Sequence, residues 1–184
     1  KMSEEMFEKV GVPSRDAALV AEHLVDSDMF GHGTHGVLRL PQYIDMVREG
    51  VVTPGASLSI LQDLGFSARL SGGWNFGPVS ATLAMEFALD KLLGGAAMSV
   101  VTVRECNHIA RLGRFVSLAA RNDAIAIMTS NGHGGDLAVA PFGGIDRRLP
   151  TNPIAVSIPT GLDWPVVLDM TTSMISGGDL RLLR

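Results

Sequence analysis

The sequence predicts an α/β fold, with a helical segment over residues 1–50 and an α/β region over 51–184. Three observations predict it. Apolar residues between 13 and 48 recur at helical spacing. Later apolar runs are short and rich in Val and Ile, as buried strands require. One stretch reads strand, helix, strand, the signature of a βαβ unit with parallel pairing. The chain has 184 residues, 46% hydrophobic and 18% charged, enough for one well-buried domain and unlike a disordered composition.

The elements follow in order. "VPSRDAALVAEHLVDSDMFG" opens a helix at Pro13 with Ser14 as its N-cap. Ala17, Val20, Ala21, Leu24 and Val25 form its apolar face, and Gly31 ends it. Residues 36–48 read as a second helix closed by Gly50, and "VVTPGAS" as a loop. "SGGWNFGP" is a turn-rich break. Pro78 suits the first turn of a helix running to about Leu93, with Ala81, Met85, Ala88 and Leu92 on one face. "AMSVVTV" is a strand, "IARLGRFVSLAARN" a helix and "AIAIMTS" a strand, and these three supply the expected βαβ unit. The Gly- and Pro-rich stretch 131–153 reads as a long functional loop. "IAVSI" and "PVVLDM" are short strands joined at "PTGLDW".

Composition removes several classes of function. Net charge is −4 with no Lys/Arg block, which argues against a nucleic-acid partner. The longest apolar stretch, Leu92 to Val103, is broken by Gly94, Gly95 and Ser99 and is too short to span a bilayer. No secretory signal is read at the start. A single Cys106 excludes an internal disulfide and suits a reducing, cytoplasmic setting. The start at Lys1 and the stop at "GGDLRLLR", directly after a motif-rich region, suggest a chain incomplete at its C-terminus.

The candidate chemistry begins at "GHGTHGVLR". On a helix from Gly36, His35 and Arg39 lie four apart on one face. An arginine can hold a carboxylate with two parallel hydrogen bonds. A histidine can give a proton to the neighbouring carbonyl oxygen, and a cation there stabilises developing charge. The competing reading is a helix N-terminus with surface His and Arg. A metal site would use His32, His35 and His133, with His108 and Cys106 as more distant partners, for a hydrolase or lyase. The His32/His35 spacing is three with glycine between, not the four of H-E-x-x-H, and no second close pair exists.

"ECNHIARLG" puts Asn107 and His108 between a strand and a helix, where open α/β sheets bind ligands and a helix N-terminus offers free N–H groups. A plain capping turn, with Asn107 as cap, is the alternative. "SNGHGG", with Ser130 and Asn131, follows a strand, and "RLPTNPIA" precedes one. Both can present backbone N–H groups to a dinucleotide, although no G-x-G-x-x-G is present. Asp169, at the end of an apolar strand, suits a ribose hydroxyl or a histidine, or else the N-cap of a helix from Met170. Met170 reads as core, and Cys106 as a small buried hydrophobe.

Together, "DMFGHGTHGVLRLPQYI", "CNHIARLG", "PFGG", "TNPIA" and "LDMTTS", in this order, resemble the malate/L-lactate dehydrogenase family of the non-Rossmann type. The resemblance covers essentially the whole chain. It implies a mixed-sheet NAD(P)-binding fold, a homodimer, and interconversion of a 2-oxo acid and a 2-hydroxy acid with NAD or NADP. It implies that His35 is the catalytic histidine, with Thr34 where Ser is usual, and that Arg39 takes the substrate carboxylate. His108 matches an acid/base or nicotinamide-facing histidine. Thr151, Asn152 and Pro153 match a cofactor-contacting "TNP", and Asp169, Met170 and Thr171 a cofactor-contacting "DMA". The chain departs from the pattern at Asp179, where Lys is usual after Gly177 and Gly178, and at Ala110, where Gly is usual. Members of the family are also much longer. Against the dehydrogenase stand a metal-dependent hydrolase and an inactive, truncated binding fragment.

Overall fold

The computed structural model describes residues 1–132 and 137–174. The chain forms two compact units, Lys1–Arg111 and Leu112–Arg184.

The first unit begins with α1 (Met2–Lys9), α2 (Ser14–Met29) and α3 (Leu40–Arg48). Ser14 is the first helical residue, not the cap. Pro13 holds that place with extended backbone, and its carbonyl accepts the Ala17 N–H at 2.9 Å. Phe7, Val20, Leu24 and Tyr43 are buried in one core with Phe76 and Val79. The Phe7 and Phe76 rings meet edge to face at 5.6 Å.

The expected helix over 36–48 is split. Two 3-10 turns, Gly33–His35 and Val37–Arg39, precede α3. Gly36 between them is extended (φ −91°, ψ −153°). Asp28, at the end of α2, accepts the Val37 N–H at 2.8 Å, and a Cβ on Gly36 would collide with that carboxylate. A local side-chain bond thus replaces the first turn of a regular helix.

β1 (Ser59–Asp63), β2 (Ser67–Ser71) and β3 (Val100–Arg104) form the first sheet, in that order. β1 is antiparallel to β2, and β2 is parallel to β3 through the crossover helix α4 (Gly77–Leu93). The βαβ unit is therefore β2–α4–β3, one helix earlier than the sequence suggested. The strand that follows the next helix, β4 (Ala126–Thr129), lies in another sheet and pairs antiparallel with β5 (Pro153–Ile158). The helix expected over 109–122 is α5 (Gly113–Ala120). Residues 109–111 stay outside it, with Ala110 at φ +58°.

The second unit packs α5 on an antiparallel sheet, β4–β5–β6, where β6 is Val166–Thr171. Ser157 Oγ donates to the Val116 carbonyl at 2.5 Å, and Ala155 beside it is fully buried. β5 and β6 form the expected pair of strands, in register from Pro153↔Thr171 to Ile158↔Val166. In 131–153, the described residues include one isolated bridge, Val139↔Leu149. Among the described residues, no helix is long and apolar enough to cross a membrane.

Candidate active site

The site candidates of the first unit converge from the two 3-10 turns, α3 and the segment after β3. His35 ends the first turn, and Thr34 Oγ1 lies 3.2 Å from its Nδ1. Arg39 ends the second turn and is only 9% exposed. Its Nε donates to the Thr34 carbonyl at 2.6 Å and its Nη1 to Gln42 Oε1 at 2.7 Å. The guanidinium plane is thus fixed by groups one turn away on either side.

His108 reaches the same place from the other end of the unit. Its ring is nearly parallel to that of His35, 11° off, with centroids 5.8 Å apart. Tyr43 Oη lies 2.8 Å from His108 Nδ1. Burial pushes the Tyr43 phenol well above its ordinary range, and the nearby Arg39 charge only partly opposes this. The phenol therefore stays protonated, and its oxygen also lies 3.4 Å from the His108 carbonyl. A proton given by the phenol to Nδ1 would leave the ring proton of a neutral imidazole on Nε2.

The segment bearing His108 is held from several sides. Asn107, 4% exposed, donates from Nδ2 to the carbonyls of Trp74 at 2.7 Å, Asn75 at 3.1 Å and Val51 at 3.3 Å. Asn75 Nδ2 in turn donates to Asp16 Oδ2 on α2 and to the Ala56 carbonyl, both at 2.9 Å. Gly77, the first residue of α4, lies so close that a Cβ there would strike the Asn107 and His108 carbonyls. Arg111 pairs with Asp26 at 2.5 Å and lies over the Phe30 ring. Three non-glycine residues around this segment, Trp74, Glu105 and Ala110, take left-handed φ of 54–59°. Such strain persists only where surrounding contacts over-determine the backbone.

Several alternatives in the sequence are resolved by these contacts. Asn107 does not cap α5, which starts six residues later. The first N–H of α5, that of Gly113, donates to Asp169 Oδ2 at 2.6 Å. Asp169 lies within β6, so no helix starts at Met170. Met170 is half exposed rather than core. Burial pushes the Cys106 thiol up to about 11, with the nearby Ser80 hydroxyl only partly opposing this, so it is no thiolate near neutral pH. Among the described residues no three His, Cys, Asp or Glu side chains group to hold a metal. His133 and Asp179 lie outside the described residues.

The dinucleotide candidates lie in the second unit. Ser130 N–H donates to the Pro153 carbonyl at 3.4 Å. Pro153 pairs with Thr171, and Thr172 Oγ1 donates to Asn152 Oδ1 at 2.6 Å. Ser130, Asn152, Pro153 and Thr171 therefore share one end of the second sheet, with Asn131 and Thr151 adjoining in sequence. Asp169 and Met170, as strand neighbours, point to opposite faces.

Gln42 and Tyr43 fall inside the quoted "DMFGHGTHGVLRLPQYI" stretch, but neither is singled out there as a site residue. Leu40, Tyr43 and Ile44, at helical spacing, are buried in the core. The available clue is the hydroxyl, because a buried tyrosine needs a partner for its O–H.

The family model for malate/L-lactate dehydrogenases matches residues 1–184. The chain belongs to that family. L-sulfolactate dehydrogenase of Methanocaldococcus jannaschii is 34% identical over 180 residues, covering 98% of this chain and 51% of that protein. Malate dehydrogenase of Pyrococcus abyssi is 36% identical over 176 residues, covering 96% of this chain and 47% of that protein. The solved malate dehydrogenase of Pyrococcus horikoshii superposes with a TM-score of 0.90 at 35% identity, covering 97% of this chain and 50% of its own. The chain spans about half the length of the curated relatives it matches. The similarity in fold to the P. horikoshii malate dehydrogenase agrees with the mixed helix-and-sheet architecture of the chain.

Proposed function

We propose that this chain carries the acid/base and carboxylate-binding groups of an NAD(P)-dependent dehydrogenase that interconverts a 2-hydroxy acid and a 2-oxo acid. The observation that carries the reading is the parallel placement of His35 and His108 beside the fixed Arg39 guanidinium.

In the oxidative direction His35 takes the hydroxyl proton as the carbinol carbon becomes a carbonyl, and in reduction it returns that proton to the oxygen. Arg39 holds the substrate carboxylate and aims the reacting carbon. Its plane is set before substrate arrives, so little ordering entropy is left to lose. His108 is the second imidazole. Tyr43 acts on it by keeping the ring proton on Nε2, with Asn107 holding the backbone in place. General acid/base help of this kind is worth about 10²–10⁴ in rate.

The hydroxyl, carboxamide and backbone groups of Ser130, Asn131, Thr151, Asn152 and Thr171 are the donor and acceptor types that suit ribose and phosphate oxygens. They fit NAD or NADP in kind, with Pro153, Asp169 and Met170 as neighbouring contacts. When bound, the nicotinamide exchanges a hydride with the substrate carbon. The family resemblance supports a homodimer, and the lone Cys106 a cytoplasmic location.

The test is loss of reduced-cofactor absorbance when the protein is mixed with NADH or NADPH and a panel of 2-oxo acids. The reading expects saturable turnover with at least one acid. No turnover with any acid or either cofactor would overturn it.

A further inference from the structure

Asp28 stands where helix electrostatics disfavour it. It lies in the last turn of α2, whose C-terminal carbonyls repel negative charge, and that turn holds no basic residue. A residue that breaks a local rule points to a contact beyond its own element. Here the contact is with the next segment. Asp28 Oδ2 accepts the Val37 N–H at 2.8 Å. The three atoms nearest a Cβ built on Gly36 all belong to this carboxylate, and a Cβ on Gly33 would lie 3.7 Å from it. The φ of Gly36, −91°, is open to any residue, so space beside the carboxylate is what calls for glycine there.

The consequence reaches Arg39. Backbone bonds on either side of Gly36 span three residues, from the Gly36 N–H to the Gly33 carbonyl at 3.1 Å and from the Arg39 N–H to the Gly36 carbonyl at 2.9 Å. In an unbroken α-helix the Thr34 carbonyl would accept the N–H of Leu38, four residues on. With the helix broken at Gly36, that carbonyl accepts Arg39 Nε at 2.6 Å instead. We propose that Asp28 is a positioning residue. By holding the Val37 N–H it keeps residues 33–39 out of a regular helix, and so gives the Arg39 guanidinium its Nε anchor and its offset from His35. Asp28 acts through the backbone and not on the substrate. What the guanidinium then binds rests on the carboxylate-holding role proposed above, whereas its placement by Asp28 does not.

The experiment reads the Arg39 Nε–H by proton–nitrogen-15 NMR of the 184-residue chain, assigned through its absence in Arg39→Lys. It needs no turnover, so an inactive chain would remove the dehydrogenase reading and still decide this one. The parent should show a slowly exchanging Nε–H. In Asp28→Ala its exchange with water should quicken at least about tenfold, as for loss of one charge-assisted hydrogen bond. Asp28→Asn, which keeps an acceptor oxygen for the Val37 N–H, should keep exchange slow. Gly36→Ala should behave as Asp28→Ala does. The double variant should be no worse than either single one, because the added methyl meets no carboxylate once Asp28 is removed. In turnover, Asp28→Ala should raise KM for the 2-oxo acid and leave KM for the reduced cofactor unchanged. An Nε–H as slow in Asp28→Ala as in the parent overturns the proposal, even where the urea midpoint falls, since Asp28 would then serve stability alone. Additive effects of Asp28→Ala and Gly36→Ala also overturn it, because the two residues would then act separately.

Discussion

At the residue scale, the account separates groups that act on substrate from groups that place them. His35→Ala should lower turnover by about 10²–10⁴ while leaving reduced-cofactor binding, read by nucleotide fluorescence, unchanged. Arg39→Ala should act mainly through KM, because it removes the charge facing the carboxylate. An unchanged KM would withdraw that role. Tyr43→Phe removes the hydroxyl that lies 2.8 Å from His108 Nδ1 and, in the proposed arrangement, donates to it. Nitrogen-15 NMR of the His108 ring should then show a mixture of tautomers in place of the Nε2–H form. A single unchanged tautomer would contradict the assignment. Cys106 supplies a pH prediction. Burial raises its pKa from 9.0 to about 11, so the folded state holds the thiol proton more tightly than the unfolded chain does. That contribution, up to about 3 kcal/mol, is complete below pH 9 and is lost as pH rises through 11. Cys106→Ala should therefore flatten denaturant-measured stability over that interval.

At the scale of elements, local pattern and long-range pairing contribute differently. α2 and α4 are readable because their apolar residues recur at helical spacing, and β5 and β6 because their runs are apolar and β-branched. β1 escapes notice because all five of its residues are exposed, so no alternation marks it. Sequence alone puts the βαβ unit one helix late because β3 and β4 look alike as sequences. Only their partners, β2 for one and β5 for the other, tell them apart. The His35–Arg39 helix failed for a local reason, the Asp28 bond at Gly36, that helical periodicity does not contain. Two glycine-related changes test how tightly the His108 segment is held. Gly77→Ala should destabilise the protein by about 2 kcal/mol or more, since the new methyl meets backbone that has nowhere to move. Ala110→Gly should stabilise it by roughly 0.5–1 kcal/mol, because relief of a left-handed alanine outweighs the added freedom of the unfolded chain. Both are read by urea denaturation.

At the scale of the whole molecule, the candidate groups sort by unit. The acid/base and carboxylate candidates lie in Lys1–Arg111, and the dinucleotide candidates beyond it. The motifs made His35, Arg39 and His108 visible in sequence. Their convergence was not visible, because 69 residues or more separate His108 from the other two and only the folded chain brings them within reach. Tyr43 was hidden by its own burial, since a core position and a functional hydroxyl look identical in a helical stripe. The central claim, that the 184-residue chain supports exchange of hydride at a 2-oxo acid with His35 moving the proton, is tested most directly by isotope transfer. The protein would be incubated with 4-deuterated NADH or NADPH and a 2-oxo acid, and the product examined by mass spectrometry. The account predicts one deuterium at C2 of the 2-hydroxy acid, with the rate of its appearance falling by about 10²–10⁴ in His35→Ala. Product without that label, no product at all, or equal rates in parent and variant would contradict it.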